Sequence, residues 1–360
     1  MIYPICDVVI PIWNQPELTQ RCLESILLST DEPIRLILID NGSGPQTRLA
    51  LEKFQKQSPF PVQIIRNDMN LGFIKATNQG IRASQAEWVC FLNNDTVVTQ
   101  GWLCEMLKAA REDPKIGLVN PTSNSLGFYL GKESLSTYAA SLKSRSGSAT
   151  ELSTALGFCL LAKRSLFDSI GLLDETFGMG NFDDDDLSQR VRLGGYRCVR
   201  ACAAYVYHEE KASFRNLPGW KKAFLENRRR FEQKWGRRLR ILYSWIGPLP
   251  PEEPAVIQPL LELLGRGHWL TLLTPKDGFP QAVTSHAQVT CLTVPRNGWR
   301  LRATLRLLLK RKKPFDLVVS YDLLWSRWLH RLRWIHRAHL LHAPTTQEIL
   351  KQCQTLSRCL

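Results

Sequence analysis

Residues 88–98 read Trp-Val-Cys-Phe-Leu-Asn-Asn-Asp-Thr-Val-Val, a short apolar run that ends abruptly in Asn93, Asn94 and Asp95. The run Trp88–Leu92 has the composition of a buried strand in a parallel sheet. Ligands of open α/β sheets collect beyond the carboxyl ends of the strands. A carboxylate placed there can hold a hard divalent cation, and the cation can hold a phosphate. Because Asn and Asp are also turn residues, the stretch alone is equally compatible with a simple turn.

The segments around this stretch alternate between strand-like and helix-like patterns. Apolar runs predict strands at 6–12, 34–39, 62–66 and 116–120, and helical spacing predicts helices at 16–29, 46–57 and 100–113 and from Asn70 onward. Alternation with short connections predicts a parallel, doubly wound α/β sheet. The residues after the first strand, 12–17, contain no glycine, which argues against a dinucleotide motif or a P-loop. A phosphate would then be held by a metal and side chains.

The segment that follows the strand predicted at 116–120 has few large apolar residues. Residues 121–151 are rich in Ser and Gly, which predicts a mobile loop and, in its functional version, a lid over a ligand. After it, a strand is predicted at 156–162, a helix at 163–170, and two further strands at 196–200 and 204–207.

An acidic cluster, Asp183–Asp186, stands at the start of a predicted helix. The helix dipole favours a carboxylate at this end, which accounts for one or two of the four. Four adjacent carboxylates repel one another, and we expect the pKa of at least one to be raised. Such a group is a good general base. His208 follows the last predicted strand, and together with Asp95 it becomes a candidate metal ligand, since a neutral imidazole binds metals well.

Composition bounds the class of protein. The chain has 360 residues, of which 44% are hydrophobic and 22% charged, as in soluble globular proteins of two domains. It contains no uncharged apolar run of 18 residues and no basic segment followed by an apolar one at its start, so neither a membrane span nor a secretory signal is expected. Its ten cysteines are scattered without a Cys-x-x-Cys pair, which predicts reduced thiols and a cytoplasmic location.

The net charge of +14 is unevenly distributed. Residues 1–210 hold 20 Lys/Arg and 24 Asp/Glu, whereas residues 211–360 hold 27 and 9. A basic second part suggests an anionic partner such as lipid headgroups, a phosphate-bearing substrate or nucleic acid. Residues 215–240 predict a basic amphipathic helix whose aromatic residues either lie on an anionic membrane or pack on the preceding domain. Residues 241–360 predict a second α/β unit.

An ordered set of motifs within residues 1–240 resembles the family 2 inverting glycosyltransferases, which have the GT-A fold. The matching segments, in chain order, are Val8–Asn14, Ile39–Ser43, Asn70–Asn78, Leu92–Asp95, Gly157–Phe177, the acidic cluster with Leu187 and Arg190, and His208 with Ser213-Phe214. The resemblance implies an α/β GT-A domain over residues 1–240 that moves a sugar from a nucleotide-diphosphate sugar (UDP-, dTDP- or GDP-linked) to an acceptor hydroxyl with inversion.

The resemblance also implies a role for each matched residue. Asp95 would bind a divalent metal, Mn²⁺ or Mg²⁺, with the help of His208. The base would be Asp184, with Asp183 and Asp186 as alternatives. The implied nucleotide-binding residues are Pro11, Asn14, Asp40, Gly72, Asn78 and Asn94. Two positions depart from the family pattern, since Asn93 replaces the first Asp of an Asp-x-Asp motif and Asp183 replaces a Glu.

The resemblance further implies a saccharide or lipid-linked saccharide acceptor, in the synthesis of a cell-surface polysaccharide, O-antigen or glycolipid, with peripheral contact at the inner face of the plasma membrane. Residues 241–360 resemble the N-terminal half of a GT-B glycosyltransferase. Since that fold needs a second lobe, we expect an acceptor or partner module there. One alternative is a nucleic-acid-binding or non-catalytic scaffold protein using the basic half, but no nucleic-acid module is recognisable and no nucleic acid is expected. A nucleotidylyltransferase would need a Gly-rich loop after the first strand, which is missing.

Overall fold

The computed structural model describes residues 4–210, 219–245, 253–274, 279–284, 286, 288–294, 297–309 and 314–358. The chain divides into two compact units, Met1–Arg228 and Arg229–Leu360, and the division falls inside the helix Trp220–Trp235. The boundary at residue 240 inferred from the sequence stays a prediction.

The first unit is an α/β domain. Its elements are β1 (Cys6–Ile12), α1 (Pro16–Ser29), β2 (Ile34–Asn41), α2 (Pro45–Gln57), β3 (Val62–Asn67), α3 (Phe73–Ala83), β4 (Trp88–Leu92), β5 (Thr96–Val98), α4 (Trp102–Glu112), β6 (Ile116–Thr122), α5 (Leu135–Ser141), β7 (Ala149–Leu152), β8 (Cys159–Lys163), α6 (Leu166–Ile170), α7 (Asp183–Leu193), β9 (Arg197–His208) and α8 (Trp220–Trp235), with 3₁₀ turns at Asn124–Leu126, Leu142–Arg145 and Glu175–Phe177.

The strands form one nine-stranded sheet in the order β3-β2-β1-β4-β8-β6-β9-β5, with β7 paired to β9. The pairs among β1, β2, β3 and β4 and the pair β6–β9 are parallel. Strand β8 is antiparallel to both of its neighbours, and β5 and β7 are antiparallel to β9. The α/β fold class is confirmed, and the predicted parallel pairing holds for β1 to β4. The sheet as a whole is mixed, because β8 runs in the reverse direction between β4 and β6.

Continuous apolar sequence places β1 and β4 in the middle of this sheet, and every residue of both strands is buried. On one face, Val8 and Ile10 belong to an apolar core that also takes in residues of α1, α2 and α4. On the other face α3 packs so closely on β1 that a Cβ added at Gly80 would lie 2.1 Å from Val9 Cγ1. This sheet holds the carboxyl ends of β1, β2 and β4 along one edge.

Two sequence predictions in this unit need correction. Residues 121–151, predicted as a mobile loop, contain α5, β7 and two 3₁₀ turns, because short polar residues cap these elements and β7 pairs with β9. The strands predicted at 196–200 and 204–207 are one strand, β9, whose middle consists of small buried residues. Small residues carry little apolar signal, although they are buried here.

The second unit is also α/β. Its elements are β10 (Arg240–Ser244), α9 (Pro254–Gly265), β11 (Trp269–Thr274), α10 (Gln281–Thr284), β12 (Val289–Thr293), α11 (Trp299–Leu309), β13 (Leu317–Ser320), α12 (Leu323–Arg331), α13 (Arg333–His336), β14 (His339–His342) and α14 (Thr346–Arg358). Its five strands form a parallel sheet in the order β12-β11-β10-β13-β14. The second α/β unit is confirmed, and its resemblance to half of a GT-B enzyme stays a prediction.

Among the helices of the described ranges, none has both the length and the apolar content to cross a membrane.

Candidate active site

A cavity of about 810 Å³ opens at the carboxyl edge of the first sheet. The lining includes six of the residues predicted from the sequence, namely Pro11, Asn94, Asp95, Asp183, Asp184 and His208. They come from the ends of β1, β4 and β9 and from the start of α7. Residues that are as far apart in the chain as Pro11 and His208 therefore line one cavity.

Asp95 and His208 form the first polar group in the cavity. Strand β5 pairs with β9 so that Thr96 lies opposite His208. This register brings Asp95 Oδ1 to 3.1 Å from His208 Nε2. The ring of Phe158 stacks on the imidazole with 5.1 Å between ring centroids. The imidazole is therefore held in place from its face and from its edge.

A chain of hydrogen bonds orients the His208 ring. Ser125 Oγ donates to Glu210 Oε1 over 2.6 Å and lies 2.9 Å from His208 Nδ1. The hydroxyl hydrogen of Ser125 is used in the hydrogen bond to Glu210. In the hydrogen bond between Ser125 and His208, the donor is therefore Nδ1–H of His208. In the neutral imidazole Nε2 then turns its lone pair towards Asp95. Two acceptor atoms 3.1 Å apart repel each other unless a cation lies between them. This cation is either a proton on Nε2 or a bound metal ion.

Asn93 supplies a third polar group beside this pair. Its Nδ2 lies 3.3 Å from His208 Nε2, while its Oδ1 is buried without a hydrogen-bond partner. Turning the amide end for end exchanges the two atoms, so that an oxygen faces His208 Nε2. The described ranges contain no cluster of three His, Cys, Asp or Glu residues suited to a metal. Asn93, Asp95 and His208 nevertheless present an O, O and N donor set, which fits Mn²⁺ or Mg²⁺.

The four carboxylates of the acidic cluster have different environments. Asp185 Oδ1 accepts a hydrogen bond from Thr154 Oγ1 over 2.9 Å. Asp186 is buried and accepts from Arg190 Nε over 2.8 Å, and Arg190 in turn donates to main-chain carbonyls of residues 170–172. These contacts fasten α7 to the preceding turn. Asp183 and Asp184 instead line the cavity.

The two lining carboxyls have raised pKa values. Burial, helped by the charge of Asp185, raises the pKa of Asp183 to about 6. The same two causes raise the pKa of Asp184 well above its usual value. The expectation that the cluster raises at least one pKa is confirmed, although the main cause is loss of solvent and not mutual repulsion. Asp184 Oδ2 has one long hydrogen bond, 3.4 Å from the Gly157 N–H.

The chain enters α7 through a strained turn. Asn181 and Phe182 both have left-handed backbone conformations, with φ values of 74° and 68°. Non-glycine residues in this region are costly and cluster at functional sites. The turn places Asp183 and Asp184 at the cavity.

Five predicted site residues do not line the cavity, namely Asn14, Asp40, Gly72, Asn78 and Asp186. Asp40 is buried and accepts from the Ser43 N–H and from Arg66 Nη1. Asn14 Oδ1 accepts from the Gly44 N–H, which links the ends of β1 and β2. Asn78 is hydrogen bonded to both main-chain groups of Leu173. Gly72 has a φ of 89° and a Cβ there would lie 3.2 Å from Gly178 O. Their implied roles in binding or catalysis stay predictions.

Several lining residues were not identified from the sequence. Ser125 lies in the segment predicted as a loop, and nothing in a sequence links it to a histidine 83 residues later. Trp220 and Phe224 line the cavity from α8, where they stack with 5.3 Å between ring centroids. The alternative in which this aromatic face packs on the preceding domain is confirmed for Phe224, whose ring centroid lies 5.2 Å from that of Phe182. Ser213-Phe214, part of the resemblance, lies outside the described residues.

Solved structures show which fold the first unit has. A mannosyltransferase from Pyrobaculum calidifontis, in complex with GDP-Man and Mn²⁺, superposes with a TM-score of 0.50 at 18% identity, over 65% of this chain and 64% of that one. GalNAc-T7 with UDP, GalNAc and Mn²⁺ gives a TM-score of 0.51 at 15% identity, over 64% and 48% of the two chains. At these identities the likeness shows the fold, which is GT-A, as predicted.

The family follows from sequence comparison. Residues 7–171 match the family model Glycosyl transferase family 2, and this part of the chain is therefore a family 2 glycosyltransferase domain. The poly-beta-1,6-N-acetyl-D-glucosamine synthase of Staphylococcus aureus (strain COL) is 28% identical over 190 residues, 51% of this chain and 45% of its own length. An uncharacterized protein, y4gI, of Sinorhizobium fredii is 29% identical over 231 residues, 58% of this chain and 25% of its own length. The chain thus spans between a quarter and just under half of these two relatives.

Proposed function

We propose that this protein is a metal-dependent inverting glycosyltransferase that moves a sugar from a nucleotide-diphosphate sugar to an acceptor hydroxyl. One observation carries the proposal. Two adjacent residues, Gly157 and Phe158, contact the two polar groups of the cavity, one contacting Asp184 and the other His208. The Gly157 N–H faces Asp184, and the Phe158 ring stacks on His208. A cation site and a carboxyl with a raised pKa are thereby held on neighbouring parts of one cavity.

The first group suits the diphosphate of the donor. Asp95 and His208, with Asn93 beside them, would hold Mn²⁺ or Mg²⁺. When bound, such an ion neutralises the negative charge that develops on the leaving diphosphate. The Ser125–Glu210 chain keeps the donor lone pair of His208 directed at the ion site. The Mn²⁺ present with two proteins of the same fold supports this assignment.

The second group suits the acceptor. We assign Asp184 as the base that takes the proton of the attacking hydroxyl, with Asp183 as its neighbour and alternative. A raised pKa brings a carboxylate closer to the pKa at which proton transfer near neutral pH is efficient. Attack from the side opposite the diphosphate, in a single displacement, inverts the configuration at the anomeric carbon. Asp186 is held by Arg190 and is less suited to this role.

The remaining lining residues bear on the two substrates. Pro11, Asn41 and Asn94 lie where the donor's UDP, dTDP or GDP part would enter from the strand ends. The aromatic rings of Trp220 and Phe224 offer apolar faces on which a saccharide or lipid-linked saccharide acceptor can stack. A cell-surface polysaccharide, O-antigen or glycolipid made at the cytoplasmic side is the product class that we propose.

A direct assay tests the proposal. The purified chain is incubated with UDP-, dTDP- and GDP-sugars, Mn²⁺ and a panel of saccharide acceptors, and released nucleotide diphosphate and the anomeric configuration of the product are measured. We expect release from one nucleotide class, an inverted product, and loss of both in Asp184→Asn. The control is Asp168→Asn, an exposed carboxylate of α6 that pairs with Arg164 and does not line the cavity. Turnover that is equal in Asp184→Asn and wild type, or a product of retained configuration, would contradict the proposal.

A further inference from the structure

Helices α11, α12 and α13 of the second unit carry an unusual number of exposed apolar side chains. Trp334 is 73% exposed, Leu324 is 59% exposed and Leu301 is 53% exposed. Leu305, Leu323, Trp328 and Ile335 add further exposed apolar surface on the same three helices. Single exposed apolar residues need no explanation, but a group of this kind marks an interaction surface. We call these seven residues the apolar surface of the second unit.

The pattern on α12 separates a core face from an outer face. Trp325, Ser326 and Leu329 are buried. The outer positions Leu324, Arg327, Trp328 and Arg331 are exposed and follow the i, i+3, i+4, i+7 spacing of one helix face. Apolar and cationic side chains thus alternate along the outer face. The inner face already supplies the packing that holds the helix, so the outer apolar residues are not needed for the core.

The most exposed residue of the surface is held there by a buried histidine. His336 Nδ1 accepts from the Ala338 N–H over 3.1 Å, and Nε2–H donates to Leu329 O over 3.0 Å. These bonds tie α13 to the end of α12. Trp334 lies between these bonded residues, so its side chain is exposed from an ordered segment of the structure.

The charges of these helices have one sign. Arg302, Arg327, Arg331, Arg333 and Arg337 are exposed around the apolar residues. No Asp or Glu occurs in the sequences of α11, α12 and α13. The nearby acids are already engaged, since Asp316 pairs with Arg237 and Asp322 with Arg300, both at 2.8 Å. The occupant of this surface must therefore be anionic.

The exposed apolar and cationic residues also indicate which kind of partner binds this surface. A second copy of the surface would place arginines against arginines, which is unfavourable. Nucleic acid would satisfy the arginines but would leave the exposed leucines and Ile335 in water. An anionic bilayer satisfies both, because acyl chains bury the apolar residues, tryptophan favours the headgroup region and arginines contact the phosphates.

We propose that α11, α12 and α13 form a surface that binds the second unit to an anionic lipid bilayer, with Trp328, Trp334 and Leu324 entering the headgroup layer. This places the membrane contact on the second unit and not on α8, for which membrane contact was one of the two alternatives that the sequence left open and where Trp220 and Phe224 line the cavity. The inference does not depend on the transferase activity, and it is tested without it.

The test is co-sedimentation of the full chain with vesicles of phosphatidylcholine alone or with about one third phosphatidylglycerol. We expect binding to the anionic vesicles only, weakened by salt. Removing two arginines in Arg327→Ala/Arg331→Ala should weaken binding about 30-fold, since each basic residue near an anionic surface contributes about a factor of five. Trp334→Ala/Leu324→Ser should lose at least tenfold while leaving the net charge unchanged.

The matched control is Trp269→Ala, which removes a tryptophan of the same unit that is 46% exposed on β11 and outside the surface. It should bind the vesicles as wild type does. Equal binding of the control and Trp334→Ala/Leu324→Ser would overturn the proposal. Tighter binding to nucleic acid than to vesicles would also overturn the proposal. The same holds if the chain binds no vesicles and self-associates in a way that Trp334→Ala abolishes. Circular dichroism of each variant shows whether it is folded.

Discussion

The two polar groups of the cavity both contain aspartates, and we propose different roles for them. Asp95 faces an imidazole nitrogen that is oriented by Ser125 and Glu210. Asp183 is buried and Asp184 is partly buried, both lie beside other carboxylates, and their pKa values are raised. In the proposed function the first group holds a cation, and the second takes a proton. The comparison teaches that the neighbours of a carboxylate, and not its position in a motif, decide which of the two it binds.

The largest expected effect comes from removing the proton acceptor. Asp184→Asn keeps the shape of the side chain but cannot take a proton, and general base catalysis contributes about 10²- to 10⁴-fold. We expect kcat to fall by that range while the affinity for the nucleotide diphosphate changes less than about threefold. Steady-state kinetics and calorimetry on the same preparation measure both quantities. A variant that lost nucleotide affinity instead would show that Asp184 belongs to the cation group.

A second prediction concerns the group that orients His208. Ser125→Ala removes the acceptor of the Nδ1–H bond, and loss of such an outer partner lowers metal affinity about 10- to 100-fold. We expect the Mn²⁺ concentration that gives half-maximal activity to rise by that factor, with little change in kcat at saturating Mn²⁺. Ser141→Ala is the control, because Ser141 bonds only within its own segment, to Tyr138 O. If Ser125→Ala reduced kcat at every Mn²⁺ concentration, the orienting role would be refuted.

A third prediction uses the raised pKa values. A base must be deprotonated to act, so kcat/KM should fall tenfold per pH unit on the acid side of its pKa. Because burial raises the pKa of Asp184 well above the usual value, the fall should begin at a clearly higher pH than it would for an aspartate with an ordinary pKa. The pH profile of kcat/KM is the measurement. An activity that stays flat down to pH 5 would indicate a base with an ordinary carboxyl pKa.

The smallest expected effect is on stability. The pKa of Asp183 is about 6 in the folded chain, above that of an unfolded aspartate, so the folded state binds this proton more tightly. Ionisation therefore destabilises the fold as pH rises through about 6, and the penalty is absent below pH 4. We expect Asp183→Asn to raise the Tm at pH 8 by about 2–4 °C, or on the order of 1 kcal/mol, and to leave it unchanged at pH 4. A variant that is less stable than wild type at pH 8 would contradict this.

Much of the fold could be predicted because its signals are local. Strands β1 and β4 and helix α1 begin and end at the predicted residues, since continuous apolar runs and regular helical spacing lie within the segments themselves. The reversed strand β8 could not be predicted, because the direction of a strand is decided by its neighbours in the sheet. Strand β9 was predicted as two strands, because its central residues are small and give only a weak apolar pattern in the sequence, although they are buried.

The site divides in the same way. Asp95, His208 and the acidic cluster were singled out from their places at strand and helix ends, where the sequence changes abruptly from apolar to polar residues, and only the family resemblance pointed to Asp184 within the cluster. Ser125 and Glu210 were missed because their roles depend on the hydrogen bonds that Ser125, distant in the chain, makes with His208 and with Glu210. The sequence could not rank the four aspartates either, because the contacts that engage Asp185 and Asp186 come from Thr154 and from a helical neighbour, Arg190.

The central claim is that Asp95 and His208 hold a cation that binds a nucleotide diphosphate. Calorimetry with UDP, dTDP and GDP, each with and without Mn²⁺, on wild type and Asp95→Ala tests it most directly. We predict that one nucleotide binds only with Mn²⁺ and that Asp95→Ala abolishes this binding. Binding that is independent of Mn²⁺ and unchanged in Asp95→Ala, or no binding of any nucleotide by a folded chain, would contradict the claim.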